Sequence, residues 1–283
     1  MDVAIVTWSG LPQLDSYDVP LLSALADLKV VAKPCVWDDP SMDWSRPKAA
    51  VVRSAWDSHL RREAFVAWAG KVGRLTRLFN PAEVLRWNTH KSYLRELEAK
   101  GIPVTPTEWV PRGGTLDVAS RVRERGWEAV VVKPVVSAGA LKTYRFGREA
   151  LEAAQAQLDA LAGECEVMVQ PYLTAFEREG ERSYIFFDGE FSHSVRRPPG
   201  LVGSPLPFPE PHAFAPRQDE VGLAHDVLAA VGRPLMYARV DVATDNEGRT
   251  RLQELEVTEP RLFLTLDAMA PKRLARAIAR RLA

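Results

Sequence analysis

The chain has 283 residues, 46% hydrophobic and 26% charged, enough to bury a large core divided into two or three units. Lys plus Arg and Asp plus Glu both number 37, so the formal net charge is zero and no bulk attraction to nucleic acid or anionic membrane follows. Cys35 and Cys165 are isolated, without metal-ligand or redox spacing. The N-terminus reads as a first strand rather than a signal peptide, and no apolar run approaches ~18 residues. A soluble cytoplasmic protein is expected.

Residues 1–80 read as α/β. Strands are predicted over residues 3–7, 30–37 and 49–53, with helices over 21–28 and 61–70. This alternation implies a parallel sheet, whose ligands sit at the C-terminal ends of its strands. Arg53 and Asp57 lie just past such an end, as substrate contacts or equally as a loop salt bridge. A second unit, residues 81–172, begins with a helix predicted over 89–100, stopped by Gly101-Ile-Pro103. An extended segment at 104–110, a helix at 121–125, a buried strand at 129–133, a helix at 147–161 and a strand at 166–170 follow. The third unit, residues 173–283, opens with strands 183–187 and 190–195 joined by Asp188-Gly189. A proline-rich loop is predicted over 198–216, a helix over 219–231, a second hairpin over 236–257 and a basic final helix over 272–282.

The second hairpin is the richest in chemistry. Residues two apart in a strand share a face, so Arg239 and Asp241 project together, as do Glu254 and Glu256 on the partner strand. Three carboxylates on one face call for a cation, and an oxygen-only ligand set suits magnesium with a phosphate completing its shell. Seen alone, the same hairpin would serve as a solvated strand face. There is no P-loop and no dinucleotide fingerprint. Instead, Lys133 closes an apolar strand and needs an anionic partner, unless its amine simply snorkels to solvent. Beside it, Ser137-Ala-Gly139-Ala offers backbone N–H groups to a polyphosphate.

Several motifs occur in a telling order. Lys91 precedes Gly101-Ile-Pro-Val-Thr-Pro-Thr107; Val130-Val-Val-Lys-Pro134 and the small-residue loop come next. Then follow Val169-Gln-Pro-Tyr-Leu173, Gly180-Glu-Arg-Ser-Tyr184, Ala238-Arg-Val-Asp-Val242 and Glu254-Leu-Glu-Val-Thr-Glu-Pro260. The chain resembles an ATP-grasp carboxylate–amine ligase over nearly its whole length. Within that superfamily it is similar to the prokaryotic glutathione-synthetase-like branch that includes a cycloserine-forming O-ureidoserine cyclo-ligase. Val51-Val-Arg-Ser-Ala-Trp-Asp57 and Trp68 also resemble that branch.

The resemblance implies an ATP-grasp fold behind a Rossmann-like N-terminal domain. Lys91 and Lys133 match the nucleotide lysines. Gln170, Pro171, Tyr172 and Leu173 match the hinge that reads the adenine edge. Glu177 or Glu181 would take the ribose, and Ser137 and Gly139 would cover the phosphates. Asp241, Glu254 and Glu256 match the metal ligands, and Arg239 matches the arginine at the transferring phosphoryl group. His193, Arg196 and Arg197 would face γ-phosphate or substrate, and Arg53 and Asp57 the substrate. The implied reaction uses ATP with magnesium or manganese. It activates a small carboxylate, amino-acid or peptide-like, as an acyl phosphate that an amine attacks to give an amide or a ring. A nucleotide-binding module without turnover and a small-molecule kinase are the competing readings. Many members carry asparagine where Glu256 stands, and Arg261 also departs from the pattern. Partners are small molecules, with neither nucleic acid nor membrane, and members of this fold often form homodimers.

Overall fold

The computed structural model describes residues 1–198 and 210–282. Most of the proline-rich loop predicted over 198–216 therefore lies outside the described residues. Strands β1 (Val3–Thr7), β2 (Ala32–Val36), β3 (Ala49–Ser54) and β4 (Arg77–Phe79) form a parallel sheet in the order β2-β1-β3-β4. Helix α1 (Val19–Asp27) links β1 to β2, and α2 (Arg62–Leu75) links β3 to β4. Every residue of β1 is buried, as a parallel strand covered on both faces requires. Val3 and Ile5 enter one core with Leu21 and Leu25 of α1, while Ala4 and Val6 face Trp37, Phe65 and Trp68.

Helices α3 (Ala82–Asn88) and α4 (Tyr93–Ala99) follow. The helix predicted over 89–100 begins later, at Tyr93, α3 before it was not predicted, and Lys91 lies in the turn between the two rather than on a helix. The two helices share one core through Val84 of α3, which packs in the same cluster as α4. Leu85 of α3 joins the core of the parallel sheet, whereas Tyr93, Leu94 and Leu97 of α4 pack with Val240, Val242 and Leu255 from the far end of the chain.

Strands β5 (Glu108–Val110), β6 (Ala129–Pro134), β7 (Tyr144–Gly147) and β8 (Val167–Pro171) form an antiparallel sheet ordered β5-β8-β6-β7. Helices α5 (Val118–Arg125) and α6 (Leu151–Glu164) cover it. Asp117 caps α5 by accepting from the Ser120 amide at 2.8 Å, and Gly126 closes it in the left-handed region at φ 66°. The short α7 (Phe176–Glu179) leads into a third sheet. Its strands β9 (Glu181–Phe187), β10 (Glu190–Arg197), β11 (His212–Ala213), β12 (Tyr237–Thr244) and β13 (Thr250–Glu256) pair antiparallel in the order β11-β10-β9-β12-β13. Helix α8 (Gln218–Val231) packs on this sheet through Ala224 and Val227. The final helix α9 (Ala270–Leu282) instead buries Leu274, Ala275 and Ile278 against α1 and β1, so the C-terminal unit closes the core of the N-terminal one.

Asn80 ties these units together. Its side-chain amide donates to the carbonyls of Tyr237 at 2.9 Å and Val257 at 2.8 Å, and its carbonyl accepts from the Met236 amide at 2.6 Å. All of these groups are buried, so Asn80→Ala leaves backbone polar atoms unpaired in the core. The expected cost is about 2–3 kcal/mol, read as a lower midpoint in urea unfolding.

Candidate active site

A cavity of about 770 Å³ lies where the three sheets meet, and the β12–β13 hairpin forms its floor. The ladder places Arg239 opposite Glu256 and Asp241 opposite Glu254, with Ser183 of β9 on the other flank of Asp241. Asp241 is fully enclosed. Ser183 Oγ donates to it at 2.7 Å, Arg239 Nε at 3.0 Å and Nη2 at 2.9 Å, and Arg197 Nη2 at 2.7 Å. Arg239 also pairs with Glu256, and Arg197 with Glu181. Lys91 Nζ lies 3.1 Å from Glu254 Oε1. Four carboxylates thus share three cations at the cavity floor.

Burial pushes the Glu256 carboxyl up to about 8, with Glu254 and Asp241 adding to the rise and Arg239 opposing it. Burial likewise raises Glu181 to about 7 despite Arg197. Burial also works against the charge of Asp241, but Arg197 and Arg239 outweigh it and hold that carboxyl below its ordinary range. Arg239 is held above its ordinary value by Asp241 and Glu256, which overcome its own burial.

The opposite wall comes from β6 and β8. Lys133, at the end of β6, points into the cavity, and burial together with the charge of Lys91 lowers its pKa. Lys91 Nζ donates to the Ser137 carbonyl at 2.6 Å, so one amine bridges the hairpin floor and the small-residue loop. Gly139 and Ala140 both sit at φ 59°, and this left-handed pair bends the loop over the cavity mouth. Gln170, Pro171, Tyr172 and Leu173 line the cavity, with Gln170 donating to Thr107 Oγ1 at 2.7 Å. The two candidate ribose glutamates separate here. Glu181 lines the cavity, whereas Glu177 pairs with Arg145 at 2.9 Å and accepts from the Tyr172 hydroxyl at 3.2 Å.

Four predicted substrate or catalytic residues lie elsewhere. Arg53 is wholly buried: its Nε donates to Asp18 at 3.2 Å, its Nη2 to the Pro260 carbonyl at 2.5 Å, and its guanidinium sits 4.9 Å from the Tyr237 ring centre. Asp57 accepts from Trp37 Nε1 at 2.9 Å and pairs with Arg61. Arg196 donates to the backbone carbonyls of Glu179 and Arg178, fixing the end of α7. His193 donates through Nε2 to the Leu262 carbonyl at 3.0 Å in the core. In each case a backbone carbonyl or a buried partner satisfies the polar group.

Burial lowers the His193 pKa to about 4. The unfolded chain takes up that proton near 6.5, so folded stability falls as pH drops from about 6.5 to about 4. The full loss is about 3 kcal/mol, and His193→Gln flattens this part of the pH–stability profile measured by chemical unfolding.

Sequence reasoning missed the wall contributed by Trp56, Ser58 and His59 of the N-terminal unit and by Thr258, Glu259 and Arg261 beyond β13. Trp56, Thr258 and Glu259 stand inside the motifs that carry the resemblance, whereas Ser58 and His59 had only their adjacency to Asp57 as a signal.

The donor set at the floor is oxygen only, the chemistry magnesium prefers. Glu254 and Glu256 share one face of β13 and both line the cavity. Those two residues fit a divalent cation. Asp241 stands beside them in the ladder, and both its oxygens accept from Arg239, Arg197 and Ser183. Among the described residues no three His, Cys, Asp or Glu side chains form a metal cage. In this structure Asp241 holds the arginines, while Glu254 and Glu256 face the cavity.

Three units enclosing such a cavity define an ATP-grasp ligase, and the similarities to known proteins agree. The crystal structure of D-cycloserine synthetase DcsG superposes with a TM-score of 0.90 at 32% identity, covering 100% of both chains. D-alanine–D-alanine ligase from Bacillus anthracis superposes at 0.69 with 13% identity, covering 100% of this chain and 97% of that one, and so shares the fold. The cycloserine biosynthesis protein DcsG of Streptomyces lavendulae is 35% identical over 298 residues, covering 99% of this chain and 98% of that protein. A family model described as the N-terminal domain of D-cycloserine synthetase DcsG matches residues 3–80. The chain belongs to the DcsG family of ATP-grasp ligases. It is a carbon–nitrogen ligase that activates a carboxylate with ATP for attack by an amine. Among the described residues no helix is long and apolar enough to cross a membrane.

Proposed function

We propose that this enzyme closes a D-cycloserine-type ring, taking an O-ureidoserine-type amino acid as both carboxylate and nucleophile. The observation that carries the reading is the shared cation–carboxylate floor, in which Lys91, Arg197 and Arg239 are held by carboxylates at the place a polyphosphate would enter. The full-length likeness to a cycloserine biosynthesis protein supports the ring-forming outcome.

In this reading ATP lies between the β6–β8 wall and the hairpin, its phosphates near Lys91 and Lys133 and under Ser137 and Gly139. Gln170 to Leu173 border the adenine. Glu254 and Glu256 hold magnesium, which when bound offsets phosphate charge as the γ-phosphoryl moves. A carboxylate oxygen of the substrate attacks the γ-phosphorus and the bond to the β-phosphate oxygen breaks, giving an acyl phosphate and ADP. The substrate's own nitrogen then attacks the acyl carbon. The tetrahedral oxyanion is stabilised by Arg239, which Asp241 and Glu256 aim, and by Arg197. Phosphate leaves with one former carboxylate oxygen, the nitrogen gives up its proton, and water removes the carbamoyl group that the nitrogen carries as carbon dioxide and ammonia, leaving the free ring. Small-residue cover over the cavity limits hydrolysis of the acyl phosphate.

The test is ADP release with O-ureidoserine and no added amine, with the product read by mass spectrometry. The expected result is one ADP for each ring formed. ADP release that needs a second amine, with a linear amide as product, would point instead to intermolecular ligation.

A further inference from the structure

We propose that Glu259 and Ser58 form a subsite for the substrate's ammonium group, making the enzyme selective for acids that carry a primary amine. The inference rests on the ring-closing reading above and concerns a part of the cavity that reading does not use.

Glu259 lines the cavity three residues beyond Glu256, and Ser58 Oγ donates to its Oε1 at 2.6 Å. The floor carboxylates have cationic partners: Glu181 has Arg197, Glu254 has Lys91, and Glu256 has Arg239. Glu259 has none within ion-pair distance among the described residues. The nearest candidate by sequence, Arg261, is turned away from it. Its guanidinium lies 4.5 Å from the Trp56 ring centre and 5.5 Å from that of Tyr17, with Asp15 at 3.3 Å. A carboxyl half-buried beside one hydroxyl is costly to ionise, and burial accordingly raises it to about 7. A ligand that brings its own positive charge removes that cost.

The backbone under Glu259 is fixed as a binding platform should be. Three successive carbonyls are each taken by a donor from another element: Glu259 by Trp56 Nε1 at 3.2 Å, Pro260 by Arg53 Nη2 at 2.5 Å, and Arg261 by Arg239 Nη1 at 3.1 Å. Arg53 is thereby a positioning residue, acting on the site through Pro260. Such rigidity lowers the ordering cost of binding. A metal ion would require more oxygen ligands than one glutamate and one hydroxyl supply. An ammonium needs a single charged acceptor plus a neutral one, and its hydrogen bond to carboxylate is of the strong, charge-assisted kind. The charge of Lys91 reaches Glu259 from beyond ion-pair distance and only partly offsets its burial.

The test uses the full-length enzyme with O-ureidoserine and its deamino analogue. With Glu259→Gln, KM for O-ureidoserine should rise roughly 100-fold or more while KM for ATP stays within a few-fold, and preference over the deamino analogue should collapse. Ser58→Ala should raise the same KM by about 10-fold. A preference for the amine that survives E259Q overturns the proposal, as does an equal rise in KM for ATP or a loss confined to kcat. If the wild-type enzyme leaves O-ureidoserine unclosed, the ring-closing reading fails on its own. The subsite is then decided by calorimetry of α-amino acids against their deamino counterparts. There E259Q must erase a preference that the wild type shows; a retained preference, or wild-type binding of neither, overturns it.

Discussion

Glu254→Ala should abolish substrate-dependent ADP release, lowering kcat/KM by roughly 1000-fold or more. Glu254 sits opposite Asp241 in the ladder and lines the cavity, so it faces the phosphates in the proposed geometry. It also holds Lys91 Nζ at 3.1 Å, and Lys91 in turn holds the Ser137 carbonyl. Removing it costs a metal ligand and frees the lysine that ties the loop to the floor. Glu254→Gln separates the two effects, since an amide keeps the shape and a hydrogen-bond acceptor but loses the charge a divalent cation needs. The expected order of activity is wild type, then Gln, then Ala, with both variants well below wild type at saturating magnesium. Turnover by Glu254→Ala within a few-fold of wild type would remove this residue from the metal site.

Arg53→Met should cost about 3–5 kcal/mol of stability, because it strands a buried carboxylate. Arg53 and Asp18 are essentially inaccessible to solvent and lie 3.2 Å apart, with Ser54 Oγ donating to the other Asp18 oxygen at 3.0 Å. Burial already raises the Asp18 carboxyl against the pull of Arg53, so without the arginine it would protonate or the site would open. The double variant Arg53→Met with Asp18→Leu should recover much of the stability, since apolar pairs can replace buried ion pairs. It should not recover the activity, because the Pro260 carbonyl loses its donor and the strap carrying Glu259 loosens. Urea midpoints and steady-state rates on the same preparations separate the two effects. A loss below ~1 kcal/mol in the single variant would contradict the buried-pair account.

Much of the fold was legible because its elements are strongly patterned. The apolar run at residues 129–133 and the hairpin around Asp188-Gly189 announce themselves locally, whereas the helix read over 121–125 begins three residues earlier, at Val118, behind its Asp117 cap. The β12–β13 face was legible for the same reason, since a period of two places Arg239, Asp241, Glu254 and Glu256 together whatever surrounds them. Periodicity does not say whether a charge on a face meets solvent, ligand or a buried partner. Arg53, Asp57, Arg196 and His193 fall outside the cavity lining on that account: each polar group meets carbonyls or partners from other segments. Helix α3 was hidden because its seven residues divide between two cores, Val84 entering one and Leu85 the other. The docking of α9 on the first sheet, and the meeting of Ser58 with Glu259, join residues about 200 positions apart, beyond any local signal.

The central claim is that the carboxylate is activated as an acyl phosphate. It is tested most directly by giving the enzyme O-ureidoserine whose carboxyl carries heavy oxygen and weighing the phosphate released. Transfer of one labelled oxygen to each phosphate is the predicted result. Phosphate that carries no label while ring product accumulates would contradict it.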